Sequence, residues 1–115
     1  MMNRTIVATV ISIVLAASTA QAGGDAAAGK DKAAACVACH GEAGISVAPI
    51  YPNIGGQYAN YLLHSLQAYK SGDRQNAIMQ GMVAALSEQD MEDLAAHFSS
   101  LEGALKEGSL RPGKH

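Results

Sequence analysis

Residues 36 to 40 read Cys-Val-Ala-Cys-His, and this pentapeptide limits what the 115-residue chain can fold around. On a helical turn, spacings of three and four residues bring side chains to one face. Cys36, Cys39 and His40 therefore present two thiols and an imidazole to the same object. Each thiol can form a thioether with a vinyl-bearing edge of one porphyrin, and the imidazole can reach its iron from below. Cys-x-x-Cys-His is the attachment signature of c-type haem. The reading is one covalently bound haem c, tethered by Cys36 and Cys39, with His40 as an axial ligand.

A bare Cys-x-x-Cys also serves thioredoxin-like redox pairs, zinc sites and structural disulfides. The redox pair expects a strand-helix-strand setting, and no strand pattern is visible. Zinc needs two more ligands at similar spacing, but His64, His97 and His115 are scattered and there is no third cysteine. A lone disulfide leaves His40 without a role. Composition agrees with haem: the chain has no tryptophan and a single phenylalanine, Phe98. Alanine fills many core-like positions. So short a chain struggles to bury enough apolar area alone, and a porphyrin supplies the missing interior.

The first residues have the layout of a secretory signal. Arg4 gives a positive start, an apolar run extends from Ile6 to Ala17, and Ala20-Gln21-Ala22 offers a small-x-small cleavage site. The run is short for a membrane span, although an uncleaved anchor helix is the competing reading. The expected organisation is a signal peptide over 1–22, cleaved after Ala22, one domain over 23–102, and a polar tail over 103–115. Export fits the motif, because c-type haem is attached outside the bacterial cytoplasm. Eight Lys and Arg, one of them Arg4, stand against ten Asp and Glu, so the exported chain is mildly acidic. No basic stripe suggests nucleic acid, and no polybasic segment suggests an anionic membrane surface.

The pattern is all-α, with about three main helices wrapped around the haem. The first starts at the N-cap candidate Asp25 and runs into Cys36, with Gly41 free to end the helical segment in a left-handed conformation. Residues 42–56 hold Pro49, Pro52, Gly44, Gly55 and Gly56 and read as a loop. A second helix spans about Gln57 to Lys70, with Tyr58, Tyr61, Leu62, Leu66 and Tyr69 as its apolar stripe, and stops at Ser71-Gly72-Asp73. The third begins at a capping box formed by Ser87 and Asp90, then buries Met91, Leu94, Ala95, Phe98 and Leu101.

Iron held by one histidine has a sixth position to fill, and a methionine thioether there favours the ferrous state. Met1 and Met2 belong to the signal, and Met91 lies on the apolar face of the last helix, where packing explains it. Met79 and Met82 remain, in the segment between the second and third helices, and position alone does not separate them. His64 and His97 are the alternatives, each with a simpler explanation as a solvent-facing or locally hydrogen-bonded side chain.

Several motifs in order resemble class I cytochromes c. They are Gly24-Asp25 with Gly29-Lys30, Cys36-x-x-Cys39-His40-Gly41, and Tyr51-Pro52-Asn53-Ile54-Gly55-Gly56-Gln57. Tyr61-Leu62, Tyr69-Lys70-x-Gly72-x-Arg74, and Ile78-Met79-Gln80-Gly81-Met82 followed by Leu86-Ser87 continue the series. The resemblance covers about residues 23 to 101 and is similar to one half of a dihaem cytochrome c4, or to a small monohaem cytochrome of the c553 kind. It implies the small cytochrome c fold, with Met79 as the sixth ligand and Met82 as runner-up. It also implies that the Pro52 carbonyl accepts the Nδ1 proton of His40, orienting the ring. Two departures stand out. His97 occupies a position where the family often has tyrosine, and the chain stops after one domain, against a dihaem architecture.

The expected function is a soluble periplasmic one-electron carrier, monomeric, docking transiently with respiratory donors and acceptors. No general base, nucleophile or substrate pocket is evident, so an enzyme is not expected. Ile45, Val47, Val83 and Ala84 are candidates for an apolar rim around an exposed porphyrin edge, or equally for packing inward. A haem subunit of a dehydrogenase or oxidase complex is the alternative, and an open-site haem sensor is a third reading.

Overall fold

The structure is a computed structural model that describes residues 23–103 and 105; the signal segment 1–22 and most of the expected tail lie outside the described residues. Among the described residues there are five helices and no strand. They are α1 (Ala26–Lys32), α2 (Ala34–His40), α3 (Ala59–Ser71), α4 (Ala77–Val83) and α5 (Glu88–Ser100). No described helix is long and apolar enough to cross a membrane.

Asp25 caps α1 as its position predicts, accepting the N–H groups of Ala27 and Ala28 at 2.9 and 3.3 Å. The expected single helix from Asp25 to Cys36 is two. Ala33 takes φ −80°, ψ −4°, ending α1 and starting α2. Lys32 precedes it and Ala34 and Ala35 follow, so no proline or glycine marks the break. Ala33 is buried with Leu62, Leu94, Ala95 and Phe98, and Cys36 and Val37 pack against that cluster. The thiol-bearing helix thus lies against the core.

The most extensive helix pairing joins α1 to α5, and two glycines set its closeness. A Cβ at Gly29 would lie 1.9 Å from the Asp93 carbonyl oxygen and 2.8 Å from His97 Cβ. One at Gly24 would lie 1.9 Å from the Glu92 carbonyl oxygen. Backbone therefore meets backbone along this seam.

The buried Asp93 carboxylate fastens both ends of α1. It accepts the Asp25 N–H at 2.8 Å, the Lys32 ammonium at 2.6 Å and the Gln89 amide at 2.9 Å. Lys32 also reaches Asp90 at 2.9 Å. The Lys32 ammonium above all, then the Asp25 N–H and Gln89, hold the Asp93 carboxyl down to about 2. Lys32 does the same for Asp90, with help from Ser87, again to about 2.

His97 belongs to this seam. It is buried on α5, its ring edge-on to Phe98 with centroids 4.9 Å apart. Burial and the nearby Lys30 charge push its pKa down. The expectation of a solvent-facing His97 is corrected: the side chain is buried against α1, where Gly29 leaves room for it.

Helix α3 splits its expected stripe. Leu62 is buried, Leu66 and Tyr69 are half-buried, and Tyr58 and Tyr61 are 71% and 52% exposed. Tyr58 is the extended N-cap, outside the helical period, and Tyr61 sits about 100° around the helix from Leu62. Gly72, at φ +87°, ψ 2°, ends α3 in the left-handed conformation. At α5 the capping box forms as its spacing predicts. Ser87 Oγ accepts the Asp90 N–H at 3.1 Å, and Asp90 accepts the Ser87 N–H at 3.0 Å.

The seam generates two expectations. Gly29→Ala gains about 1 kcal/mol of helix propensity but drives a methyl group into backbone that cannot rotate away. A net destabilisation of about 1–3 kcal/mol is expected, read as a lower denaturation midpoint at unchanged slope for the haem-loaded protein. The second concerns acid. A carboxyl held below its unfolded value of about 3.9 contributes stability above that pH and loses it as pH falls towards the folded value. Thermal stability should therefore decline as pH drops from about 4 towards 2. Asp93→Asn should lower Tm by several degrees at neutral pH and flatten that decline; an acid slope equal to the parent's would dismiss Asp93 as its source.

Candidate functional site

Helix α2 is one face of the site. Cys36 and His40 are one helical turn apart, with Cys39 three residues after Cys36, so all three share a face. Both cysteines are unpaired and partly buried. Burial pushes the Cys36 thiol up, keeping it protonated at neutral pH. His40 is 7% exposed. Gly41 ends α2 at φ +78°, with its N–H on the Val37 carbonyl at 2.9 Å. A side chain there would strike the Ile45 carbonyl oxygen, so this sharp exit requires glycine.

The loop after Gly41 closes on itself. The Gly44 carbonyl accepts the N–H groups of Ile54 and Gly55 at 2.8 and 2.9 Å. The Asn53 side chain accepts the Ser46 N–H at 2.8 Å. Val47 donates to the Cys39 carbonyl at 3.1 Å, and Gly56 donates to the Phe98 carbonyl at 2.9 Å, binding the loop to α2 and α5. Gly44 and Gly55 touch backbone to backbone. This closure leaves the Pro52 carbonyl oxygen 2.8 Å from His40 Nδ1. A carbonyl only accepts, so Nδ1 is the donor in this contact, and in the neutral tautomer that makes it, Nε2 is left with the lone pair.

Two thiols and an imidazole with a free Nε2, on one face of one helix, are a donor set that fits haem c. Cys36 and Cys39 would tether the porphyrin, and His40 Nε2 would take the iron.

Met79 and Met82 lie on a helix of their own, α4, in the segment between the second and third expected helices. Asn76 caps α4, its side-chain oxygen accepting the Met79 N–H at 3.0 Å. Residues 77 to 80 contain no breaker, and a seven-residue helix is too short to announce itself by periodicity. Met79 is half-buried, whereas Met82 is 49% exposed. Val83 closes α4 and is 1% exposed, so it does not belong to an exposed rim; Ile45, Val47 and Ala84 are exposed. The reason is that α4 turns its last side chain inward, next to the Leu86 N–H that bonds the Val83 carbonyl at 3.0 Å. His64 is exposed on α3.

Sequence reasoning missed the roles of Asn53 and Asn76. Asn76 had a legible signal, an Asn three residues before the N–H it caps. Asn53 had none, because its partner Ser46 is reached only once the loop has closed.

Comparison with known proteins places this geometry. Residues 26–102 match the family description "Cytochrome c". The chain is 52% identical over 82 residues to cytochrome c-554(548) of Halomonas halodenitrificans, covering 69% of this chain and 99% of that protein. It is 44% identical over 99 residues to cytochrome c4 of Pseudomonas aeruginosa, covering 86% of this chain and 49% of that one. The chain thus spans about half the length of its cytochrome c4 relatives. The crystal structure of reduced recombinant cytochrome c4 from Pseudomonas stutzeri superimposes with a TM-score of 0.66 at 46% identity, over 69% of this chain and 46% of that one. Together with the all-helical architecture, these likenesses mean that the chain belongs to the cytochrome c family and carries covalently bound haem c.

Proposed function

We propose that this protein is a soluble, periplasmic, monomeric one-electron carrier whose single haem c is tethered by Cys36 and Cys39. His40 and Met79 are the axial ligands, and electrons pass between respiratory donors and acceptors that dock transiently. When bound, the haem supplies a ferric/ferrous couple, whose potential a thioether ligand raises.

The observation that carries this reading is the His40 Nδ1 contact with the Pro52 carbonyl at 2.8 Å. It fixes the tautomer, turns Nε2 outward as a ligand and makes that nitrogen more basic. Met79 is preferred over Met82 because its side chain is half-buried and its backbone is fixed by Asn76, while Met82 is largely in water. With both axial positions taken by side chains, no coordination site is left for a substrate, and the chain is not an enzyme by itself. Exposed Ile45, Val47 and Ala84 offer apolar surface for a short-lived redox contact of modest area.

A second reading, a haem subunit working with a dehydrogenase, has a specific support. The relative from Thiomonas intermedia, 36% identical over 88 residues, is named a thiosulfate dehydrogenase electron acceptor. The chain also resembles 19% of a thiosulfate dehydrogenase chain from Marichromatium purpuratum, with TM-score 0.64 at 33% identity. Under this reading the protein should leave its native source in a larger assembly on size exclusion rather than as a monomer.

The ligand set is tested by absorption. The oxidised protein is expected to show the weak far-red charge-transfer band of thioether-to-ferric coordination. Met79→Ala should abolish it and Met82→Ala should leave it; the reverse result transfers the ligand role to Met82. Carbon monoxide should bind the reduced parent protein slowly or not at all, and rapid binding would favour the open-site sensor.

A further inference from the structure

The two ends of α4 are held in different ways. At its C-terminal end Val83 is buried, Leu86 N–H bonds the Val83 carbonyl, and the Lys70 ammonium reaches from α3 to the Leu86 carbonyl. On the other side the chain is pinned at Arg74, whose N–H bonds the Ala68 carbonyl at 3.0 Å and whose guanidinium lies 4.8 Å from the Tyr69 ring centroid. Between Arg74 and Met79, residues Gln75, Asn76, Ala77 and Ile78 are all exposed. Packing against other protein side chains therefore does little to organise the first turn of α4.

Asn76 does it by hydrogen bonding. Its side chain accepts the Met79 N–H at 3.0 Å, and its carbonyl accepts the Gln80 N–H at 2.9 Å. A seven-residue helix is below the length at which helices persist by propensity alone. Met79 is the third residue of α4, so fraying from this end reaches it before the buried Val83 end is disturbed. We propose that Asn76 is a positioning residue for the iron site: its cap holds the Met79 sulfur in place and sets how readily another ligand displaces it.

This inference rests on Met79 being the sixth ligand, and the experiment separates the two claims. Haem-loaded parent, Asn76→Ala, Asn76→Ser and Met79→Ala proteins would be compared in the ferric state. Two quantities are measured: the rate at which imidazole displaces the native sixth ligand, and the temperature at which the far-red band disappears. A lost cap should accelerate displacement about fivefold in Asn76→Ala and lower the band temperature. Far-ultraviolet helix melting should move less, because the opening is local. Asn76→Ser, which can also cap, should return the rate to within about twofold of the parent. Parent-like displacement in Asn76→Ala, or no recovery in Asn76→Ser, overturns the positioning role while leaving Met79 as ligand. A far-red band that survives in Met79→Ala overturns the ligand assignment, and this inference falls with it.

Discussion

The Pro52 carbonyl oxygen lies 2.8 Å from His40 Nδ1, and most of the surrounding backbone exists to keep it there. Gly41 turns the chain away from α2, the Gly44 carbonyl gathers Ile54 and Gly55, and the Asn53 side chain fastens Ser46. None of these contacts buries a large side chain. They are polar, local and short, and they convert a flexible imidazole into a directed nitrogen. The loop thereby fixes the orientation of the His40 ring.

The rest of the domain solves a different problem, holding α2 and the loop against something rigid with few large residues available. The α1–α5 seam does this by closeness rather than bulk. Gly24 and Gly29 admit the backbone of α5, and the Asp93 carboxylate takes donors from the start and the end of α1. A buried carboxylate left with an empty lone pair is costly. Here three donors from two helices converge on it, so its burial is compatible with a small core of Leu62, Leu94 and Phe98.

Local chemistry was readable from the sequence wherever it depends on neighbours in the chain. The Asp25 cap, the Ser87–Asp90 box, the Gly72 stop and the common face of Cys36, Cys39 and His40 are all matters of spacing within one helical turn. Features set by distant segments were not. The break at Ala33 has no sequence mark, because alanine suits either continuation and the core decides. Burial of His97 depends on Gly29, on another helix, and the inward turn of Val83 depends on where α4 comes to rest. The same holds within the site. The thiols and imidazole follow from their spacing, the Pro52 contact was anticipated only through family resemblance, and Asn53 needs a closed loop to matter.

Asp25 and Asp93 are 68 residues apart, so the bond between them joins the beginning of the domain to α5. A chain emerging from its amino end presents the two thiols and the imidazole well before Asp93 has appeared to pull α1 into place. The α1–α5 seam is therefore a long-range closure, whose chain-entropy cost is met only once both ends of the domain are present.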